Sequence, residues 1–138
     1  MKSIIAALVV VYALVRTGEG CSCMRIEPIK HYCESEFVAR MTIGDRHEET
    51  DSRVYYDITK LDVLRATEKG RYSLEGNRLY TSANSAMCGV SFEKGTEYLI
   101  TGHIGYHNMS ATNLCSFNAV WTQLSDNDKK NFEGKFKC

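Results

Sequence analysis

The residues with the most chemistry to offer are six cysteines, at 21, 23, 33, 88, 115 and 138, and four histidines. A cysteine can act as a nucleophile, a metal ligand or half of a disulfide. All six lie downstream of residue 20, and an even number of cysteines in an exported chain argues for three disulfides rather than a free catalytic thiol. Six cysteines allow 15 pairings, and spacing alone does not choose among them. Among the histidines, His103 and His107 are four residues apart, which on a straight strand separates them by about 13 Å, too far for one ion without a sharp turn at Gly105. They read as solvated side chains. No glycine-rich phosphate loop, Gly-Xaa-Ser-Xaa-Gly elbow or His-Glu-Xaa-Xaa-His sequence is present. Enzyme is therefore the weakest functional class.

The compartment follows from the amino terminus. Lys2 gives a positive start, Ile4 to Val15 form twelve uninterrupted apolar residues, and Gly18-Glu19-Gly20 presents small residues where a signal peptidase reads. Residues 1–20 are expected to be a signal peptide, cut between Gly20 and Cys21. The apolar stretch is shorter than the about 20 residues that cross a bilayer, so a secreted, soluble product without a membrane anchor is expected. Losing Lys2, Arg16 and Glu19 turns seventeen basic and seventeen acidic residues into fifteen and sixteen, a formal charge of −1. That is a poor footprint for nucleic acid. Residues 21–138 suffice for a single domain, and no linker, repeat or low-complexity tract divides them. With no cysteine left over, a monomer is the default.

The elements that must position these cysteines are mostly strands. Phe37 to Ile43 is extended, and Arg53 to Leu64 is a long strand with Val54, Tyr56 and Ile58 at period two. Leu79 to Ala83 and Glu97 to Ile104 are further strands, and Asn108 to Thr112 a weaker one. Turns are expected at Gly44-Asp45, Gly70, Gly76-Asn77, Gly95 and Gly105. Pro28 to Tyr32 opens a helical turn, and Ser125 caps a helix running to about Phe132 and stopped by Gly134. The acidic run Glu48, Glu49 and Asp51 marks a solvated loop tip. Five strands with short peripheral helices predict a mainly β fold, a closed antiparallel Greek-key barrel of the five-stranded OB type. A bridge between Cys33 and Cys138 would clamp the first and last helices onto it. Asn108-Met109-Ser110 is an N-glycosylation sequon, which places that segment at the surface.

Taken in order, Cys21-Ser22-Cys23, Cys33, Cys88-Gly89, Cys115-Ser116-Phe117, Trp121 and Cys138 resemble the pattern of the tissue inhibitors of metalloproteinases. The resemblance spans residues 21–138. It implies the netrin-like, OB-like barrel of the inhibitory domain, and the pairings Cys21 with Cys88, Cys23 with Cys115 and Cys33 with Cys138. It further implies inhibition of zinc metalloendopeptidases, with no cofactor of the chain's own. Two differences stand out. Family members with a second, cysteine-rich module extend beyond the last cysteine, so the chain is expected to act as a lone inhibitory domain. Where the family commonly has Val then Pro, this chain has Met24 and Arg25, which bears on the choice of protease.

The chemistry implied is chelation. A catalytic zinc has three protein ligands and a site for water. A free α-amine and its own carbonyl oxygen make a five-membered chelate that can take that site, so Cys21 would bind metal through its backbone while its sulfur holds the terminus rigid. The resemblance places Ser22 at the mouth of the protease's main specificity pocket and Cys23, Met24 and Arg25 along the primed side. Ser85, Ala86 and Met87, brought alongside by Cys88, would fill the unprimed side. Ser22 as a plain spacer and Met87 as core filler are the competing readings. The alternative function is a secreted netrin-like module that binds another extracellular protein without touching zinc, since fold does not fix function.

Overall fold

The computed structural model describes residues 20–138; apart from Gly20, the expected signal peptide lies outside the described residues. Alternating apolar side chains set the sheet, because successive residues of a strand face opposite sides. On β1 (Phe37–Glu48), Phe37, Ala39, Met41 and Ile43 point into the main core. Val54, Tyr56 and Ile58 of β2 (Arg53–Ala66) join them, followed by Leu79 of β3 (Arg78–Ser82) and by Tyr98 and Ile100 of β4 (Glu97–Ile104). Two short strands, β5 (Ser110–Ala111) and β6 (Asn118–Val120), complete the set.

The hydrogen-bonded order is β1-β2-β3-β5-β4-β6, and β1 also pairs with β4. The order β1-β2-β3-β5-β4 therefore returns to its start, making the sheet ring-like. This is the mainly β, barrel-type architecture expected, with three corrections. A sixth strand, Asn118–Val120, lies on β4 with Ala119 opposite Leu99. The β3 to β5 contact is parallel, through Tyr80 and Ala111, rather than antiparallel. The fifth strand is only Ser110–Ala111, because His107 and Asn108 adopt left-handed backbone (φ 55° and 58°) and cannot extend.

Two expected turns are also something else. Gly44-Asp45 lies inside β1, where Ile43 faces Ile58 and Arg46 faces Tyr56, so one extra residue forms a bulge. Gly70 sits in α2 (Glu68–Leu74), a helix the reading of the sequence did not place; α1 is Pro28–Glu34. Thr67 caps α2 by accepting from the Gly70 amide at 3.0 Å, and a β-carbon on Gly70 would fall 2.3 Å from the Glu36 carbonyl. The glycine is there for a close approach, not a turn.

A second core sits outside the ring. Tyr32 of α1, Val38, Leu99, Trp121 and Phe132 bury together, with Phe117, Leu124 and Phe136 against them. Tyr32 meets Phe132 edge-on at 6.1 Å, and Phe136 packs on both. The Cys33–Cys138 bridge closes this cluster, with α-carbons 5.6 Å apart. The helix α3 (Asp126–Lys130) feeds Phe132 into it, capped by Ser125, whose hydroxyl accepts from the Asp128 amide at 3.1 Å. Gly134 turns the chain with φ 133°. Ser125→Ala is expected to cost about 0.5–2 kcal/mol, read as a fall in the denaturant midpoint at unchanged slope.

Candidate functional site

Residues 21–27 form no regular element, so the path of this segment is set by covalent ties. Cys21 is bonded to Cys88 and Cys23 to Cys115, with α-carbons 5.0 and 5.2 Å apart. The anchors belong to two different loops. Cys88 ends the short 3-10 turn Ser85–Met87 in left-handed conformation, φ 62°. Asn84 starts that turn by accepting from the Ala86 amide at 2.9 Å. Cys115 lies between β5 and β6, where Asn113 accepts from the amides of Cys115 and Ser116 at 2.8 and 3.1 Å.

These loops are also joined to each other and to the ring. The Leu114 amide donates to the Cys88 carbonyl at 2.8 Å. The Thr112 hydroxyl, on a side chain 2% exposed, donates to the Thr101 carbonyl at 2.8 Å, and Thr101 in turn donates to Phe117 at 3.0 Å. The Cys115 sulfur lies 3.8 Å from that of Cys21 and 4.0 Å from that of Cys88, so the two bridges pack together. Sulfurs of Cys21, Cys88 and Cys115 thus cluster as metal ligands would, but each is spent in a disulfide and offers no thiolate.

A tight contact fixes the Cys88 loop. A β-carbon on Gly89 would lie 2.2 Å from the Ser82 carbonyl oxygen and 3.0 Å from that of Asn84. Both obstacles are backbone, so Gly89→Ala must move the segment from Asn84 to Cys88. The expected result is a folded protein about 1–3 kcal/mol less stable, read as a lower melting temperature.

The structure brings the sequence-derived site residues together along one edge. Cys21 and Cys88 are half-buried, and Ser22, Cys23, Met24, Arg25, Ser85, Ala86 and Met87 are exposed. Met87 is 71% exposed, which rules out the core-filler reading. Among the described residues, four of the six exposed large apolar side chains, Met24, Ile26, Met87 and Leu114, adjoin this edge in the chain. Leu114 was not foreseen; its signal is its place beside Cys115, legible once the partner of Cys115 is known.

Near Ile26 a small cleft of about 160 Å³ is lined by Lys30, His31, Glu34 and His103. Burial holds the His31 imidazole below its ordinary value, opposed by the Glu34 charge. His103 and His107 are exposed, and His107 rests on Tyr106, ring centres 3.9 Å apart. Among the described residues the disulfide sulfurs are the one group of three potential ligands close enough to share an ion. At the tip of the β1–β2 hairpin, Glu48, Glu49 and Asp51 form the expected exposed loop, with Glu49 paired to Arg53 at 2.7 Å, and Asp51 shares a cleft with Asn84 and Met87. Among the described residues no helix is long and apolar enough to cross a membrane.

Comparison with known proteins points the same way. Residues 19–138 match the family model described as tissue inhibitor of metalloproteinase. The chain is similar to a protein of Drosophila melanogaster named tissue inhibitor of metalloproteinase, 27% identical over 131 residues, covering 94% of this chain and 60% of that one. It is similar to metalloproteinase inhibitor 2 of Homo sapiens, 26% identical over 141 residues, covering 94% and 62% respectively. Metalloproteinase inhibitor 4 of Mus musculus is 29% identical over 118 residues, 78% of this chain and 51% of that protein. The chain thus spans between half and two thirds of the length of these relatives. With the family model matched along all of the described residues, the chain belongs to the tissue inhibitor of metalloproteinase family.

Proposed function

We propose that the chain is exported, loses residues 1–20, and inhibits secreted or cell-surface zinc metalloendopeptidases through the terminus so created. Cys21 offers its free α-amine and carbonyl oxygen to the protease zinc. Ser22 enters the mouth of the specificity pocket. Cys23, Met24 and Arg25 run along the primed side, and Ser85, Ala86 and Met87 meet the unprimed side.

The observation that carries this reading is the double tether. Disulfides two residues apart hold one short segment to two loops that are themselves hydrogen-bonded, while Ser22 between the anchors stays exposed. A segment fixed in advance loses little conformational freedom on binding. The exposed Met24, Met87 and Leu114 supply apolar contact around a polar centre, the composition of a docking surface. The names of the relatives, metalloproteinase inhibitor 2 and metalloproteinase inhibitor 4, support protease as the partner class.

The test joins amino-terminal sequencing of the secreted protein with inhibition assays on several zinc endopeptidases. A terminus at Cys21 with inhibition is expected. A correct terminus with no inhibition of any of them would favour the netrin-like binding module instead.

The mechanism has a pH signature. An α-amine has an ordinary pKa of about 7.7–8.0 and binds metal only when unprotonated. Lowering the pH protonates it, so the inhibition constant is expected to weaken from pH 8 to pH 6, approaching tenfold per unit below the amine pKa. Titrations of the same protease with an inhibitor that binds through no amine supply the baseline, and a constant ratio between the two would contradict chelation.

A further inference from the structure

We propose that Asn108 carries an N-linked oligosaccharide, attached before the β4–β5 turn closes, whose first sugar sits in the cleft beside Tyr80. This rests on the export proposed above. Asn108-Met109-Ser110 is an acceptor sequence, and in the folded chain its members have opposite fates. Asn108 is exposed at the end of the turn Tyr106–Asn108. Ser110 is only 1% exposed and pairs with Ile104 in the sheet. Its hydroxyl lies 2.7 Å from that of Ser73, which also bonds the Asn108 carbonyl.

An acceptor must present the hydroxyl of its third residue along with the asparagine amide, and this folded turn hides that hydroxyl under α2. Transfer therefore belongs to the chain before Ser110 docks on Ser73. In the reaction Asn108 Nδ2 forms a bond to the anomeric carbon of a sugar carried on a lipid diphosphate. The bond from that carbon to the diphosphate breaks, the diphosphate leaves with the electron pair, and one amide proton is released.

Once the turn closes, the sugar has a place to rest. Asn108 lines a cleft of about 320 Å³ together with Ser73, Arg78, Tyr80 and His107. The Tyr80 ring is half-buried and braced by Tyr55 at 5.3 Å, and Arg78 lies over Tyr55 at 4.4 Å. An aromatic face rimmed by guanidinium, hydroxyl and imidazole suits a pyranose, whose C–H face is apolar and whose edge is polar. The cleft lining does not include Cys21, Met24 or Met87.

The full chain is expressed in eukaryotic cells and the secreted protein weighed before and after peptide N-glycosidase. The expected result is a sugar mass removed by the enzyme and missing from Asn108→Gly, which keeps the left-handed backbone while deleting the acceptor. In a second arm, microsomes with the lipid-linked donor are offered disulfide-bonded protein made in bacteria, or the same protein reduced and unfolded. Only the unfolded chain should be modified. In the glycosylated protein, nuclear Overhauser contacts are expected between the first sugar and the Tyr80 ring. Secreted protein of unmodified mass overturns the site, equal modification of the folded protein overturns the timing, and a sugar with no contact to Tyr80 overturns the seat. Inhibition measured on the same samples reports separately on Cys21, so a glycosylated protein without inhibition contradicts the proposed function and leaves this site standing.

Discussion

Adding one alanine ahead of Cys21 is expected to weaken inhibition of a zinc endopeptidase by about a thousandfold or more, near 4 kcal/mol. The extension turns the amine into an amide, whose nitrogen has no free pair for a metal, and the five-membered chelate is lost with it. Nothing else on the edge changes. Gly20 is exposed, and a β-carbon placed there meets no atom within 4 Å, so an added residue fits without pressing on the fold. The melting temperature of the extended protein should therefore match that of the native terminus while its inhibition constant does not. Inhibition by the extended form equal to that of the native form would remove the amine from the mechanism.

The second large effect concerns stability rather than inhibition. Replacing both Cys33 and Cys138 by serine opens a closure spanning 105 residues, the longest of the three. In the chain-entropy account such a bridge contributes about 4–5 kcal/mol, a large share of what holds a small domain together. The bridge also pins the outer core, where Phe132 meets Tyr32 and Phe136 edge-on and Phe136 tilts onto Tyr32, so their packing loosens with it. A fall in melting temperature of about 10–20 °C is expected by calorimetry. Well below that transition inhibition should persist, because the edge around Cys21 is held by the other two bridges. Loss of inhibition in step with full retention of stability would contradict this division of labour.

The two effects separate what a sequence tells from what it hides. The long strands were legible because Val54, Tyr56 and Ile58 alternate and all three are buried, the middle one 3% exposed. The helix caps were legible at Ser125, where side-chain chemistry fixes a terminus. Gly70 misled because glycine marks a turn and a close approach equally well, and only the Glu36 carbonyl, 34 residues earlier in the chain, tells them apart. The parallel contact between Tyr80 and Ala111 was hidden for a similar reason: one bridge pair leaves no periodic trace. The cysteine pairing was legible as far as the resemblance carried it. The cysteines allow many pairings by spacing, and it was the family pattern that implied Cys21 with Cys88 and Cys23 with Cys115, the pairs the structure contains. Leu114 stayed out of view because its exposure depends on the loop that Asn113 folds.

The central claim is that the nitrogen of Cys21 touches the protease metal, and one spectrum addresses it. The zinc of a target endopeptidase is exchanged for cadmium-113, and the complex is formed with protein carrying nitrogen-15 in its cysteines. Only the first residue then has an amine rather than an amide. A one-bond coupling between cadmium and that amine nitrogen is the predicted result; a saturated, inhibited complex showing no such coupling would contradict the mechanism.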